Sequence, residues 1–282
     1  MKSLLPLFLL ACSFGAQATA TVVNIDFSRE PGTSGTNQGP TYNGLAAAPD
    51  APANTTWNAV VRDDSNSITA NNLVDSSGLA TTVDILISEG SVAQSIAGGS
   101  FSAVDQELAA FPNFSDLMSD WVSLNSAGAG ALGTATGTIS GLASGQFYEI
   151  YFYGQGADNT PDDVTDGQNS FFAITSSLGG PIVGTGKQTG YDGTPGGNGV
   201  LTEGDEYVKF AAQADGSGNI YFLWQNVIPG NNVVSDSVQN STNTGSQIAA
   251  LNGIQIVQVV PEPSSALLAL LGTFGLLARR RR

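Results

Sequence analysis

The chain has 282 residues, 41% hydrophobic and 12% charged, with a formal net charge of −15, no histidine and one cysteine. Those values exclude a protein held to nucleic acid by phosphate contacts, histidine-ligated zinc and a Ser-His-Asp triad in its usual form. Little charge beside abundant Gly, Ser, Thr, Asn and Ala points away from disorder and towards a secreted β-protein of strands and turns.

The first twenty residues, MKSLLPLFLLACSFGAQATA, read as a secretory signal peptide. Lys2 supplies the early cation, Leu4 to Ala11 the apolar stretch, and Ala18 and Ala20 the small residues of a cleavage site after Ala20. Two alternatives stand beside it. One is an uncut anchor. The other is a lipoprotein signal, because Leu9-Leu10-Ala11-Cys12 has lipobox character and Cys12 would carry the lipid. A cut after Ala20 leaves no cysteine, hence no disulfide, no thiolate metal site and no thiol catalysis. Stability must then come from a core, which a body at 21–258 is long enough to build.

Strands follow in order at 22–27 (VVNIDF), 81–87 (TTVDILI), 147–153 (FYEIYFY), 170–175, 206–211, 219–224 and 254–260 (IQIVQVV). Each alternates with period two or is rich in β-branched and aromatic residues. Gly/Thr/Asn-rich stretches at 28–56 and 179–199 read as long loops. Phe114, Leu117, Met118, Trp121 and Val122 have helical spacing, which predicts a short helix with Ser115 as N-cap and Asp116 in its first turn. A second helical turn is predicted within 102–110. Leu142, Gly145 and Tyr148 have the spacing of a tyrosine corner, in which the hydroxyl bonds backbone upstream. Asp215-Gly216-Ser217-Gly218 predicts a hairpin between the strands on either side.

Chemistry-bearing candidates in the body are few. Asp158, Asp162, Asp163 and Asp166 are the candidate calcium ligands on one acidic loop, although Val164 breaks the alternation of an EF-hand. Gly184-Thr185-Gly186-Lys187 is too short to cradle phosphates. Trp57, Trp121, Trp224 and Tyr191 could stack on sugar rings, or fill the core. Residues 21–260 hold four basic and 23 acidic residues, a net of −19 that repels nucleic acid and anionic lipid.

Pro261-Glu262-Pro263 stops the last strand, because proline cannot donate to a ladder. Ala266 to Ala278 is an uncharged, apolar stretch of 13 residues, and Arg279, Arg280, Arg281 and Arg282 close the chain. As a helix the apolar part spans roughly 20 Å against a hydrocarbon core of about 30 Å. Four arginines on the cytoplasmic side would hold it there, the acidic body facing outwards.

The Pro-Glu-Pro signature, short hydrophobic helix and basic end resemble the PEP-CTERM protein-sorting signal. The resemblance implies a Gram-negative bacterium that makes extracellular polysaccharide. It also implies recognition and cleavage by an exosortase-type membrane protease, with delivery to the cell surface or matrix. The first strand, the helix, the corner strand and the closing strand resemble galactose-binding-like jelly rolls. The fold expected is therefore mainly β: a single jelly-roll-like β-sandwich over 21–258 with one or two short helices. A signal helix precedes it and the 259–282 sorting signal, with its short transmembrane helix, follows. The expected role is structural or adhesive and non-enzymatic, with transient contact to membrane lipid. The alternative is a carbohydrate-binding module for exopolysaccharide, assisted by calcium or without any cofactor. A hydrolase using two carboxylates is the third reading.

Overall fold

Strand β1 (Val22–Phe27) is buried along its whole length, and what covers it sets the architecture. The computed structural model describes residues 21–27, 42–44, 46–48, 55–61, 67–90, 95–100, 115–118, 120–126, 131–154, 169–190, 200–228 and 248–260. After β1 come β2 (Asn58–Val60), β3 (Ser67–Ala70), β4 (Asp84–Glu89) and β5 (Ser95–Ser100). A single-turn helix α1 (Ser115–Met118) leads into β6 (Asp120–Asn125), β7 (Thr134–Ser140), β8 (Phe147–Tyr153) and β9 (Ser170–Thr175). The chain continues through β10 (Lys187–Gln188), β11 (Tyr207–Gln213), β12 (Ile220–Asn226), β13 (Ile248–Leu251) and β14 (Gly253–Gln258). Thr21–Val259 form one compact unit.

The first sheet has the order β11-β8-β14-β1-β2 and the second β10-β9-β12-β7-β4-β3. A third sheet of three strands has the order β13-β6-β5. Among the described strands every pairing is antiparallel except β1 with β2, which is parallel. β1 and β14 pair from Val22 with Val257 to Asp26 with Gly253, so the first and last strands of the body lie side by side.

Alternation decides which side chains enter the space between the sheets. Val23 and Ile25, Ile150 and Phe152, Val208 and Phe210, and Ile254 and Ile256 enter from the first sheet. Ile85 and Ile87, Ile139, Phe172, and Ile220, Phe222 and Trp224 enter from the second. Phe152 is where the layers meet. Its ring stacks on Phe172 at 4.7 Å and leans on Phe222 at 4.9 Å and Phe210 at 6.0 Å. The fold is a β-sandwich, as the sequence predicts.

Several expectations shift in detail. The 114–122 helix shrinks to α1, and from Asp120 the chain is extended. Trp121 and Val122 belong to β6, which pairs with β5 on one side and β13 on the other. Two ladders satisfy more backbone groups than two helical turns would, and they bury Val122 and Leu124 completely. Phe114 and the 102–110 turn lie outside the described residues. The 179–199 stretch is not all loop. Ser176 to Pro181 is a tight reversal, Ile182 bridges back to Thr175, and β10 pairs with β9.

The tyrosine corner is present. Gly145 has φ +72°, Tyr148 is buried, and the Ala143 N–H donates to the Tyr148 hydroxyl at 2.9 Å. The corner docks on the β11–β12 hairpin through Leu142 N–H to Gly218 O and Gly145 N–H to Ala214 O. That hairpin turn, Asp215 to Asn219, repeats an earlier one, Asp75 to Leu79. In each the aspartate Oδ1 accepts from the amides two and four residues on, and a glycine takes positive φ.

Gly141 has φ +73°, and a Cβ there would overlap the Thr82 carbonyl. Gly179 has φ +66° but open space around it. Gly179→Ala should cost about 1 kcal/mol from backbone strain alone. Gly141→Ala should exceed about 3 kcal/mol, close to the ~3–5 kcal/mol expected for Phe152→Ala. Urea unfolding of the three variants ranks them, and equal values for the two glycines would refute the contact.

Candidate functional site

Two polar regions stand out against the apolar interior. One covers the outer face of the first sheet, where Asn24, Asp26, Tyr153 and Gln255 are buried. The Tyr153 hydroxyl donates to Gln255 Oε1 at 2.5 Å and accepts from the Ala47 N–H at 2.7 Å. Gln255 Nε2 donates to Asn24 Oδ1 at 2.8 Å, and Asn24 Nδ2 donates to Thr55 Oγ1 and Thr56 O. The Tyr42 N–H donates to Asp26 Oδ2 at 3.0 Å, and Trp57 Nε1 donates to Gly44 O at 3.2 Å. These bonds hold parts of the 42–57 stretch over the sheet. The arrangement is a clasp that ties those parts to β1, β8 and β14.

Beside the clasp, Tyr151, Tyr153 and Tyr207 pack ring against ring at 5.7 to 5.8 Å. Burial raises the pKa of all three phenols. For Tyr151 the hydrogen bond its hydroxyl donates to Glu149 adds to the rise, and for Tyr207 the charges of Glu203 and Glu206 do.

The second region is a groove of about 420 Å³ at the open edge of the sandwich. Its walls are β11 from Lys209 to Gln213, an edge strand among the described residues, and the stretch from Val183 to Lys187. Asp215, Asn219 and Tyr221, brought there by the β11–β12 hairpin, complete the rim. Tyr221 occupies an outward position of β12 and is half-buried. Its hydroxyl donates to Asp215 Oδ2 at 3.2 Å and accepts from Asn219 Nδ2 at 3.1 Å, which fixes the ring.

The charges of the groove are already engaged. Lys187 Nζ donates to Glu203 Oε1 and to the Lys209 carbonyl, each at 2.6 Å. Lys209 Nζ lies 3.5 Å from Glu149 Oε1. The Asp215 carboxylate accepts from the Asn219 and Ser217 amides and from Tyr221, and the Asn219 amide above all holds its pKa below the usual range. Asp215 is the one carboxylate among the lining residues, whereas glycoside hydrolysis uses two.

Other sequence candidates fall elsewhere. Trp57, Trp121 and Trp224 are buried, so they pack the interior and offer no face to a sugar. Lys187 of the Gly-Thr-Gly-Lys run sits in β10. Asp158, Asp162, Asp163, Asp166 and Tyr191 lie outside the described residues. So do Cys12, Ala18 and Ala20, the sorting residues Pro261, Glu262 and Pro263, and Arg279 to Arg282. Among the described residues no cluster of three or more acidic, His or Cys side chains is arranged for a metal ion. Among them, too, no helix is long and apolar enough to cross a membrane. Sequence reasoning missed Tyr221 and Asp215 as site residues. Their signal was the polar hairpin Asp215–Asn219 running into an alternating strand, which reads first as a turn.

The raised phenol pKa values set an alkaline limit. A free tyrosine titrates near pH 10. Below that pH both states keep the phenols protonated and their contribution to stability is complete. Above it the unfolded chain loses protons that the folded chain retains, so stability falls with rising pH. Absorbance at 295 nm should show these tyrosines ionising only with loss of the β ellipticity. Their titration near pH 10 in a chain still folded would contradict the packing.

A protein-family model described as the PEP-CTERM protein-sorting motif matches residues 259–282. No curated protein matches the chain. Among solved structures, the enzymatically active domain of bacteriophage CBA120 tailspike protein 4 overlaps 62% of this chain and 19% of its own, at 14% identity and a TM-score of 0.25. TmCBM61, solved with β-1,4-galactotriose, overlaps 62% of this chain and 88% of its own, at 8% identity and a TM-score of 0.30. Overlaps of that size superpose strands without fixing a ligand or a reaction. The chain thus carries a PEP-CTERM protein-sorting motif over its last 24 residues, the mark of an exported protein sorted to the cell surface through an exosortase.

Proposed function

We propose that this protein is a non-catalytic structural or adhesive component of the cell surface or its polysaccharide matrix. The single observation that carries the reading is the sorting motif at 259–282. On this reading residues 1–20 direct export and are removed after Ala20. Residues 21–258 form the exported β-sandwich. The apolar stretch at 266–278 enters the inner membrane with Arg279 to Arg282 on the cytoplasmic side, and the exosortase cuts near Pro261-Glu262-Pro263. Nothing in this sequence of events asks the body for chemistry.

The second reading is a carbohydrate-binding module. The groove beside Tyr221 favours it, because a fixed aromatic ring flanked by amide and hydroxyl groups suits a sugar ring.

Replacing Pro261, Glu262 and Pro263 together by alanine should leave the protein full-length in the inner membrane, while the parent chain is shortened and reaches the surface. Fractionation with immunoblotting reads the difference. Unchanged size and unchanged surface display would defeat the proposal.

A further inference from the structure

The backbone at the groove is open on one side. Gly154 N–H donates to Glu206 O, and Ala214 N–H donates to Gln146 O. The even-numbered residues of β11 therefore turn their backbone groups towards β8. The odd-numbered ones, Lys209, Ala211 and Gln213, turn theirs away from β8, on the groove side. Lys187 covers the Lys209 carbonyl. Among the described residues nothing bonds the N–H and C=O of Ala211 along the wall.

Polar groups on the opposite side are also uncharged. Ser176, Thr185 and Asn219 line it with uncharged polar side chains. Val183, 56% exposed, and the Tyr221 ring supply apolar surface beside them. Each charged lining group has its partner inside the protein: Lys187 with Glu203, Lys209 with Glu149, and Asp215 with Tyr221 and its own turn. A ligand entering the groove meets donors, acceptors and apolar patches, and no unmatched charge.

The long-range field points the same way. Over residues 21–260 the net charge is −19, so an anionic chain approaches against repulsion. A peptide strand adding to β11 would find the Lys209 position already occupied by Lys187.

We infer that the groove binds a neutral, hydroxyl-rich glycan, its rings lying between Tyr221 and Val183 and its hydroxyls bonding the Ala211 backbone and the Asn219 and Thr185 side chains. The inference rests on the carbohydrate-binding reading and sharpens it to uncharged sugars. A groove of about 420 Å³ lies within the range of small-ligand sites.

The test uses the exported chain as purified from its cells, probed by a glycan array and then by titration calorimetry. Neutral glucan, mannan and galactan oligosaccharides, alginate oligosaccharides bearing uronate groups, and chitosan oligosaccharides bearing ammonium groups are compared. At least one neutral class should bind, with affinity changing less than about twofold between 20 mM and 500 mM salt, since no ion pair forms. Tyr221→Ala should weaken binding about fivefold or more, and Tyr221→Phe, which keeps the ring, should retain it. Melting curves confirm that both variants are folded. Binding of none of the three classes overturns the carbohydrate reading itself. Tighter binding of alginate or chitosan, lost at high salt, keeps that reading and overturns the neutral assignment. Neutral binding indifferent to Tyr221→Ala overturns the groove as its place.

Discussion

β14 is the central strand of the first sheet and joins its two halves, β11-β8 on one side and β1-β2 on the other. β1 pairs with it along one edge and β8 along the other, and Gly253 to Val257 are all buried between them. The ladder continues past the strand: the Gln258 N–H donates to Thr21 O and the Val259 N–H to Phe147 O. Closing this sheet joins residues more than 230 positions apart. Contacts of such separation form late and slowly, because loop closure is unfavourable until they are made. The sheet cannot be completed until β14 stands between β8 and β1. One residue, Val260, separates the last hydrogen bond of the ladder from Pro261. The sorting motif is therefore joined directly to the strand on which the body depends.

What could be read from the sequence followed side-chain size. VVNIDF, FYEIYFY and the strand through Ile254 and Ile256 announce themselves, because large apolar residues alternate or run together. β7 does not. Its inward residues are Ala135, Gly137 and Ile139, and the first two give almost no apolar signal. The structure shows why they are small. The Phe222 ring lies against the backbone of Gly137, where a Cβ would collide with it. The bulk missing from β7 is supplied by the neighbouring strand β12. β6 misled for a related reason, since Leu117, Met118, Trp121 and Val122 fit a helical stripe by spacing while pairing with β5 and β13 decides the conformation. The sorting motif needed no fold to be legible, because its meaning lies in three short segments in a fixed order.

The outer face of the first sheet was hidden for another reason. Asn24, Asp26 and Gln255 are polar residues at the outward positions of β1 and β14, and an open antiparallel sheet would leave such positions in solvent. They are covered, and they remain tolerable under cover because the amides of Asn24 and Gln255 are satisfied in pairs while the Asp26 carboxylate accepts from the Tyr42 N–H. Gln255 bonds Asn24, Tyr153 and the Ala48 N–H, so one side chain connects three parts of the chain. Sequence patterning registers polarity, but it cannot tell a side chain bonded to water from one bonded to a folded-back segment. A protein with so few charges relies on this uncharged bonding, which salt barely screens.

The same economy of charge shapes the groove. Lys187 and Lys209 are the two lysines between residues 21 and 260, and both stand at its wall. Each is taken up by a glutamate, and Lys187 also caps a carbonyl of the β11 edge. A lysine on an open edge blocks pairing with another chain, which matters for a sandwich whose two sheets do not close on each other there. The tyrosine corner acts on the groove from the other end. Tyr148 fixes Ala143, the loop beside it bonds Ala214 and Gly218, and those residues bracket the turn that places Asp215, Asn219 and Tyr221. A Cβ on Gly218 would meet the Leu142 carbonyl, so the hairpin and the corner must stay in direct backbone contact. The Leu142-Gly145-Tyr148 spacing, legible in the sequence as a feature of fold alone, thus sets the position of the candidate binding residues. They project from a junction held by backbone hydrogen bonds on both sides, and such preorganisation lowers the ordering cost of binding.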